Sequence, residues 1–349
     1  LFIPVSGPFG MGEYARSLAI ADGAAVRWPG AAVRFVLSRA APYAARCPHP
    51  STLLESSPTF HPAAVSALIE EWRPDVVIFD NAGRTAQLAA ARRSGARVIY
   101  ISARPRQRRK AFRLRWMSLI DEHWIAYPEF LAGSLGWFER LKLALKRGVR
   151  VRYLDVMLTR AVPAATAGCA DYVLIVPGGG TGHPGAVDAV AEFVAAARAL
   201  TASGANVILV GRAADEAAAA SPLLRLLGAM PQSELAGLMR GAHLIIANGG
   251  STLLQAIACG KPCIAVPIAK DQRERIRRCE LAGVAIAAAL DSRSIEAAAT
   301  ALLQDAAALE ALAVRASTLG LVDGVSVALA ALEALLAADR GHGSHAGRV

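Results

Sequence analysis

One stretch restricts the fold more than any other. From Ile245 to Gln272 the chain runs through an apolar strand pattern, the turn Asn248-Gly249-Gly250-Ser251-Thr252, and a helical pattern ending near Cys259. A Gly260-Lys261-Pro262 break, a second apolar strand and the polar loop Lys270-Asp271-Gln272 follow. Strand, glycine turn, helix and strand in such short compass form a unit whose strands must run parallel. The first N–H groups of the helix lack intrahelical partners and carry the positive end of its dipole, so the turn is an anion site. Asp271 and Gln272, just after the second strand, are placed to bond hydroxyl groups beside that anion.

The rest of the chain repeats the alternation. Strand patterns occur at Leu1–Val5, Val33–Leu37, Val76–Phe79, Val98–Ile101 and Trp124–Ala126, with a helix over Pro62–Trp72 and another starting near Glu13. After a less regular stretch from Tyr153 to Gly168, a second series opens at Tyr172–Val176. It continues through Val207–Val210, Leu226–Leu227, Leu244–Ala247, Cys263–Val266 and Ala285–Ala287. Strands alternating with helices predict parallel sheets wrapped by helices, an α/β fold. A chain of 349 residues divides into two domains at this rate. No apolar run reaches the roughly 20 residues a membrane-spanning helix needs, and no secretory signal is visible.

Phosphate beside sugar hydroxyls is what a nucleotide-sugar presents, and here the sequence resembles a family. Gly249-Gly250-Ser251-Thr252, Gln255, Pro262 and the pair Asp271-Gln272 resemble the donor-binding half of the GT-B glycosyltransferases, especially the MurG-type transferases and the PseG-type nucleotide-sugar hydrolases. The resemblance implies two Rossmann-like domains facing a central cleft. It places the acceptor-side domain at 1–165, the donor domain at 166–324 and a helix at 325–339 that packs back on the first domain; the Gly/His-rich residues 340–349 read as a disordered tail. It implies that Asn248, Gly249, Gly250, Ser251 and Thr252 hold the diphosphate, that Gln255 meets the ribose and that Asp271 and Gln272 hold the sugar. Gln255 stands where the family has Glu, and an amide bonds hydroxyls more weakly than a carboxylate does.

Three further turns sit in places the same fold uses. Gly10-Met11-Gly12-Glu13-Tyr14-Ala15-Arg16 follows the first strand and resembles the G-x-G-H-x-x-R turn of the hydrolases, with Glu13 in the position of the catalytic His. A Glu can serve as a general base when burial raises its pKa; an acidic residue in a first helical turn is also favoured by the dipole alone. Arg16, one turn on, can hold Glu13 or contact the substrate, and Gly12 lies at the donor side. Gly178-Gly179-Gly180-Thr181-Gly182-His183 opens the second domain; three glycines allow close backbone approach to a ligand, or form a plain turn. It lacks the spacing and lysine of a P-loop. Met230-Pro231-Gln232 resembles the turn that holds the nucleoside in plant-type glycosyltransferases. Asp80, closing the strand at Val76–Phe79, is a second candidate base or a strand-end cap.

The net charge of +10 has one source. Between Arg97 and Arg152 there are 14 Lys/Arg against 4 Asp/Glu, leaving 24 of each elsewhere. Arg106, Arg108, Arg109, Lys110, Arg113 and Arg115 surround Trp116, and a second run mixes Trp137, Phe138 and leucines with Arg140, Lys142 and Lys146. Cations among Trp, Phe and Leu suit an anionic membrane or acceptor; a solvated basic face is the plainer reading. No nucleic-acid motif accompanies the charge, so nucleic acid is not the expected partner. Five cysteines show no metal-like spacing or pairing, which fits a reducing cytoplasm, and no Asp-x-Asp or His-x-x-x-His suggests a metal.

These readings give a metal-independent, inverting transferase needing no cofactor. It moves a sugar from a nucleotide-sugar, expected to be a UDP-sugar, to a hydroxyl acceptor that can be lipid-linked. The expected setting is cytoplasmic, at the inner membrane face. A hydrolase using the same site, or a non-catalytic membrane-associated binding protein, are the alternatives.

Overall fold

The computed structural model describes residues 1–8, 10–146, 148–158, 171–178, 186–211, 222–228 and 230–343; of 186–188 and 338–343 only the backbone is described. The chain divides into two compact units, Leu1–Met157 with Asp323–Val349, and Leu158–Val322.

The first unit runs β1 (Phe2–Pro4), α1 (Gly12–Arg27), β2 (Phe35–Ser38), β3 (Ser51–Leu54), α2 (Pro62–Trp72), β4 (Val76–Asp80), α3 (Thr85–Arg93) and β5 (Arg97–Ser102). It continues with α4 (Pro105–Ala111), α5 (Leu114–Met117), β6 (Glu122–Ile125), α6 (Glu129–Ala132), α7 (Trp137–Leu145) and β7 (Arg150–Tyr153). Its seven strands lie in the order β3-β2-β1-β4-β5-β6-β7, and every pair is parallel. Alternate residues feed two cores. Ile99, Ile101 and Trp124 face one, with Ile20 and Ala21 of α1. Val98, Tyr100, Phe79 and Val77 face the other, with Ile69 of α2 and Leu88 of α3. Burial on both faces is why these strands read as continuous apolar runs. Each large side chain so enclosed contributes about 1.5–3 kcal/mol.

β3 and β7 are the strands that the hydrophobic pattern does not announce. Both are edges, only partly buried. Edge strands carry polar and charged residues because one side meets water. In β7 the alternation of Arg150 and Arg152 has a partner: Arg152 donates to the buried Glu122 on neighbouring β6 at 2.8 and 3.0 Å.

The second unit comprises β8 (Tyr172–Val176), α8 (Ala186–Ala202), β9 (Asn206–Val210), β10 (Leu224–Leu227), α9 (Gln232–Gly241), β11 (Leu244–Asn248) and α10 (Ser251–Ala258). Then come β12 (Cys263–Val266), α11 (Gln272–Leu281), β13 (Ile286–Ala287), α12 (Ser292–Leu303) and α13 (Ala306–Thr318). The six strands, all parallel, are ordered β10-β9-β8-β11-β12-β13. Phe193, Ile246, Ile264, Ile295 and Leu302 anchor the core under α8 and α12.

The last helix, α14 (Gly324–Gly343), belongs to the first unit and packs on α1. Gly23 permits the contact: a Cβ there would lie 2.8 Å from Val325 Cγ1. The helix runs to Gly343, past the suggested end at 339; residues 344–349 lie outside the described residues. The first unit closes at Met157 rather than at 165, and Val156 makes a parallel bridge to Asp323 where the chain returns.

Candidate functional site

In each sheet the strand order reverses once, between β1 and β4 and between β8 and β11. Loops leaving such neighbouring strands diverge, and ligands of open α/β sheets bind in the crevice outside the carboxyl ends there. The turns after β1, β4, β8 and β11 lie at these two places, whereas Met230–Gln232 follows the edge strand β10 and Asp271–Gln272 follows β12.

In the second unit, Asn248 closes β11 and ties the reversal together. Its side-chain nitrogen donates to Pro177 O, at the end of β8, at 2.5 Å. Its side-chain oxygen accepts from Gly250 N at 2.6 Å. Both ends of this buried amide therefore help shape the turn. The glycines are required by space. A Cβ on Gly249 would meet Ile276 carbons at 2.7 Å and Gln272 Cβ at 2.9 Å; one on Gly178, at φ +95°, would fall onto Asn248. Gly250 caps α10 with no side-chain bond to the helix, so the first-turn N–H groups of Ser251 and Thr252 have no side-chain cap. Ser251 is exposed and Thr252 half-buried.

The flanking loop is fixed by Gln272, whose side-chain oxygen accepts from Ile268 N at 2.9 Å while its amide faces the Gly250 turn. Asp271 is exposed, 3.7 Å from Arg275, and Arg275 also donates to Gly249 O. Arg275 was not legible as a site residue because the run Gln272–Arg278 reads as a solvated helix face. Gln232 and Gln255, far apart in sequence, line one small cleft with Leu158, Ala236, Met239 and Cys259. Met230 is half-buried just before α9. Gly179, Gly180, Thr181, Gly182 and His183 lie outside the described residues.

In the first unit, Glu13 sits in the first turn of α1, its side chain mostly covered. Asn81 follows β4 in the left-handed region, at φ +52°, a conformation Asn tolerates better than most. From there its amide nitrogen donates to Glu13 Oε1 at 2.9 Å, while its oxygen accepts from Ala103 N at 2.8 Å. Arg104 approaches the same carboxylate oxygen at 3.7 Å. Burial, with help from the Glu13 charge, pushes the Tyr43 phenol up to about 12, and Tyr43 stacks on Tyr14 with centroids 4.2 Å apart. Asn81 and Tyr43 are the neighbours of Glu13 that sequence reasoning missed; the only local signal was the Asp80-Asn81 pair at a strand end. Gly12 opens α1 with open space around it.

Asp80, the second candidate base, is turned inward. It is fully buried, and both its oxygens are taken by Arg16, at 2.8 Å from Nε and 2.6 Å from Nη2, with Ser17 at 3.4 Å. Burial pushes the Asp80 carboxyl up to about 6 against the pull of Arg16. Burial alone would depress the Arg16 guanidinium, but the Asp80 carboxylate overrides it and holds it above its ordinary value. Arg16 is thus held by Asp80, and the Glu13 charge adds a smaller pull on it.

The basic segment divides in the same way. Arg106, Arg109, Arg113 and Arg115 are exposed. Arg108 instead donates to Glu139 and to the carbonyls of Ala132, Gly133 and Ser134. Lys110 donates to Gly83 O at 2.8 Å and lies over the Trp116 ring; burial, aided by neighbouring arginines, lowers it to about 8. Trp116 is buried and donates to Thr85. Arg108 and Lys110 are therefore half-buried and held by the protein, and Trp116 is enclosed. Among the described residues no group of three His, Cys, Asp or Glu side chains is placed to hold a metal ion.

No protein-family model and no curated protein matches the sequence. Solved structures match the backbone. The calicheamicin glycosyltransferase CalG4 matches with a TM-score of 0.65 at 17% identity, covering 96% of this chain and 98% of its own. Spinosyn rhamnosyltransferase SpnG, complexed with thymidine diphosphate, matches with a TM-score of 0.63 at 16% identity, covering 95% and 99%. A UDP-N-acetylglucosamine 2-epimerase from Listeria monocytogenes matches with a TM-score of 0.58 at 14% identity, covering 95% and 96%. At these identities the likeness is one of architecture, and with the two parallel sheets it establishes that the chain has the GT-B fold.

Proposed function

We propose that the protein is a glycosyltransferase that moves a sugar from a nucleoside diphosphate sugar to a hydroxyl acceptor. The observation that carries this reading is the turn after β11. Gly249 and Gly250 bring the backbone to the head of α10, whose first-turn N–H groups have no side-chain cap and suit a diphosphate. In this reading Gln232 and Gln255, neighbours in one small cleft, meet the nucleoside, and Asp271 and the Gln272 amide meet sugar hydroxyls.

In this reading Glu13 takes the proton from the acceptor hydroxyl, held in place by Asn81. The acceptor oxygen attacks the anomeric carbon from the face opposite the diphosphate. The bond to the diphosphate breaks, its electrons leave with the phosphate oxygen, and the configuration inverts. N–H groups aimed in advance at that oxygen stabilise the charge as it develops. UDP is the nucleotide of choice from the sequence resemblance, and TDP enters through the complex of the spinosyn rhamnosyltransferase. A second reading, epimerisation of a UDP-sugar, draws on the matching 2-epimerase.

The test is product analysis with a panel of UDP- and TDP-sugars, with and without hydroxyl acceptors. Nucleotide release that requires an acceptor supports the transferase. Release in buffer alone makes the protein a hydrolase, and a changed sugar returned on its nucleotide makes it an epimerase. Binding with no turnover of any donor would leave a non-catalytic binding protein.

A further inference from the structure

We infer that α7 and the neighbouring basic segment form a docking surface for an anionic lipid bilayer. None of the residues of α7 is buried. Trp137, Phe138, Leu141 and Leu145 are 66%, 62%, 45% and 70% exposed. At about 100° per residue these four positions fall within one stripe about 100° wide. The opposite side of the helix is the docked one: Leu143 packs against the core and Glu139 is held by Arg108. The stripe is thus turned away from the protein. Trp137 and Phe138 stack with centroids 4.0 Å apart, which presents them as one aromatic wedge.

Charge identifies the partner. Arg140 and Lys142 fall on either side of the stripe, with exposed Lys146 at its end. The Arg108–Glu139 pair, with three further bonds from Arg108 to the carbonyls before α7, clasps α4 to this helix. α4, so clasped to this helix, carries the exposed Arg106 and Arg109, and α5 after it carries the exposed Arg113 and Arg115 with half-exposed Leu114. An apolar wedge rimmed by cations fits anionic headgroups over acyl chains. A nucleic acid would use the cations and leave the aliphatic Leu141 and Leu145 without a role. At 9 residues α7 is far short of the roughly 20 needed to span a bilayer, so its contact lies at the interface. It stands independently of the proposed reaction.

The experiment is co-sedimentation of the full chain with phosphatidylcholine vesicles, with and without phosphatidylglycerol, over a salt series. The expected result is binding to the anionic vesicles that weakens with salt. Each arginine near an anionic surface strengthens binding about fivefold. Changing Arg106, Arg109, Arg113 and Arg115 together to Ala should weaken it at least about a hundredfold. Trp137→Ser with Phe138→Ser should weaken it at least about tenfold and abolish the blue shift of tryptophan emission on vesicle addition. All of these side chains are exposed, and thermal melts check folding; Leu145→Glu is the milder substitute if the pair change unfolds the protein. Equal binding to neutral and anionic vesicles, or unchanged binding by both variants, would overturn the inference. So would tight binding to a single-stranded oligonucleotide by a protein that ignores vesicles.

Discussion

Asp80→Asn tests whether the pair under α1 is structural. Arg16 and Asp80 have side-chain exposures of 8% and 0% and share two hydrogen bonds of 2.8 and 2.6 Å. Replacing the carboxylate by an amide leaves the guanidinium buried, still charged and facing a group with no net charge. Breaking a buried ion pair from one side costs about 3–5 kcal/mol, because the remaining charge has lost its compensation. A loss of that size in a unit of this length lowers Tm by about 6–20 °C. The assay is urea unfolding at neutral pH, with m compared between variants so that a change of denatured state is recognised. Arg16→Met combined with Asp80→Leu removes both charges and should recover most of the loss, since an apolar replacement of a buried pair is often neutral. Arg16→Lys should fall between, because an ammonium cannot match both carboxylate oxygens. A loss below about 1 kcal/mol for Asp80→Asn, the range of exposed pairs, would refute the reasoning. So would a double variant no more stable than either single one.

Glu13→Gln keeps the bond from Asn81 but cannot take a proton, so turnover should fall at least about a hundredfold while donor affinity, read by calorimetry, stays the same. Turnover at the original rate would remove Glu13 as the base. Gly249→Ala places a Cβ 2.7 Å from Ile276 and should cost about 1–3 kcal/mol and weaken nucleoside diphosphate binding, read by thermal shift; full affinity would show that the turn does not approach the ligand. His123 is buried against Ser102 and Phe112, and burial, then Arg108, lowers its pKa to about 3. The neutral ring therefore contributes stability that is fully present above 6.5 and is lost as pH falls towards 3, at up to about 1.4 kcal/mol per unit. Relative to His123→Gln, the parent protein should lose stability more steeply between pH 6 and 4; parallel pH profiles would show that the ring protonates freely in the fold.

Much of the architecture was legible because its signals are local. Tyr172–Val176 and Cys263–Val266 are apolar runs bounded by Asp171, Pro177, Pro262 and Pro267, and they are strands over those same residues. Pro62–Trp72 opens with Pro at the first helical position and forms a helix with those bounds. The edge strands Ser51–Leu54 and Arg150–Tyr153 were illegible because pairing, not apolarity, makes them strands. Arg97–Ser102 extends past its apolar middle at both ends because β4 offers a partner to Arg97 and β6 one to Ser102.

The sequence by itself determined the alternation of strands and helices, the glycine turn at the head of α10 and the concentration of charge between Arg97 and Arg152. Each is written in a few successive residues, where periodicity and backbone freedom act. Only the tertiary structure decided what the charges do. Arg16 finds Asp80 across 64 positions, Arg108 finds Glu139 across 31, and Asn81 finds Glu13 across 68. Arg108 and Arg109 are adjacent and chemically identical, yet one clasps a helix and the other meets solvent. The identity of a partner depends on which elements the sheet order brings together, and a residue's type carries no record of that.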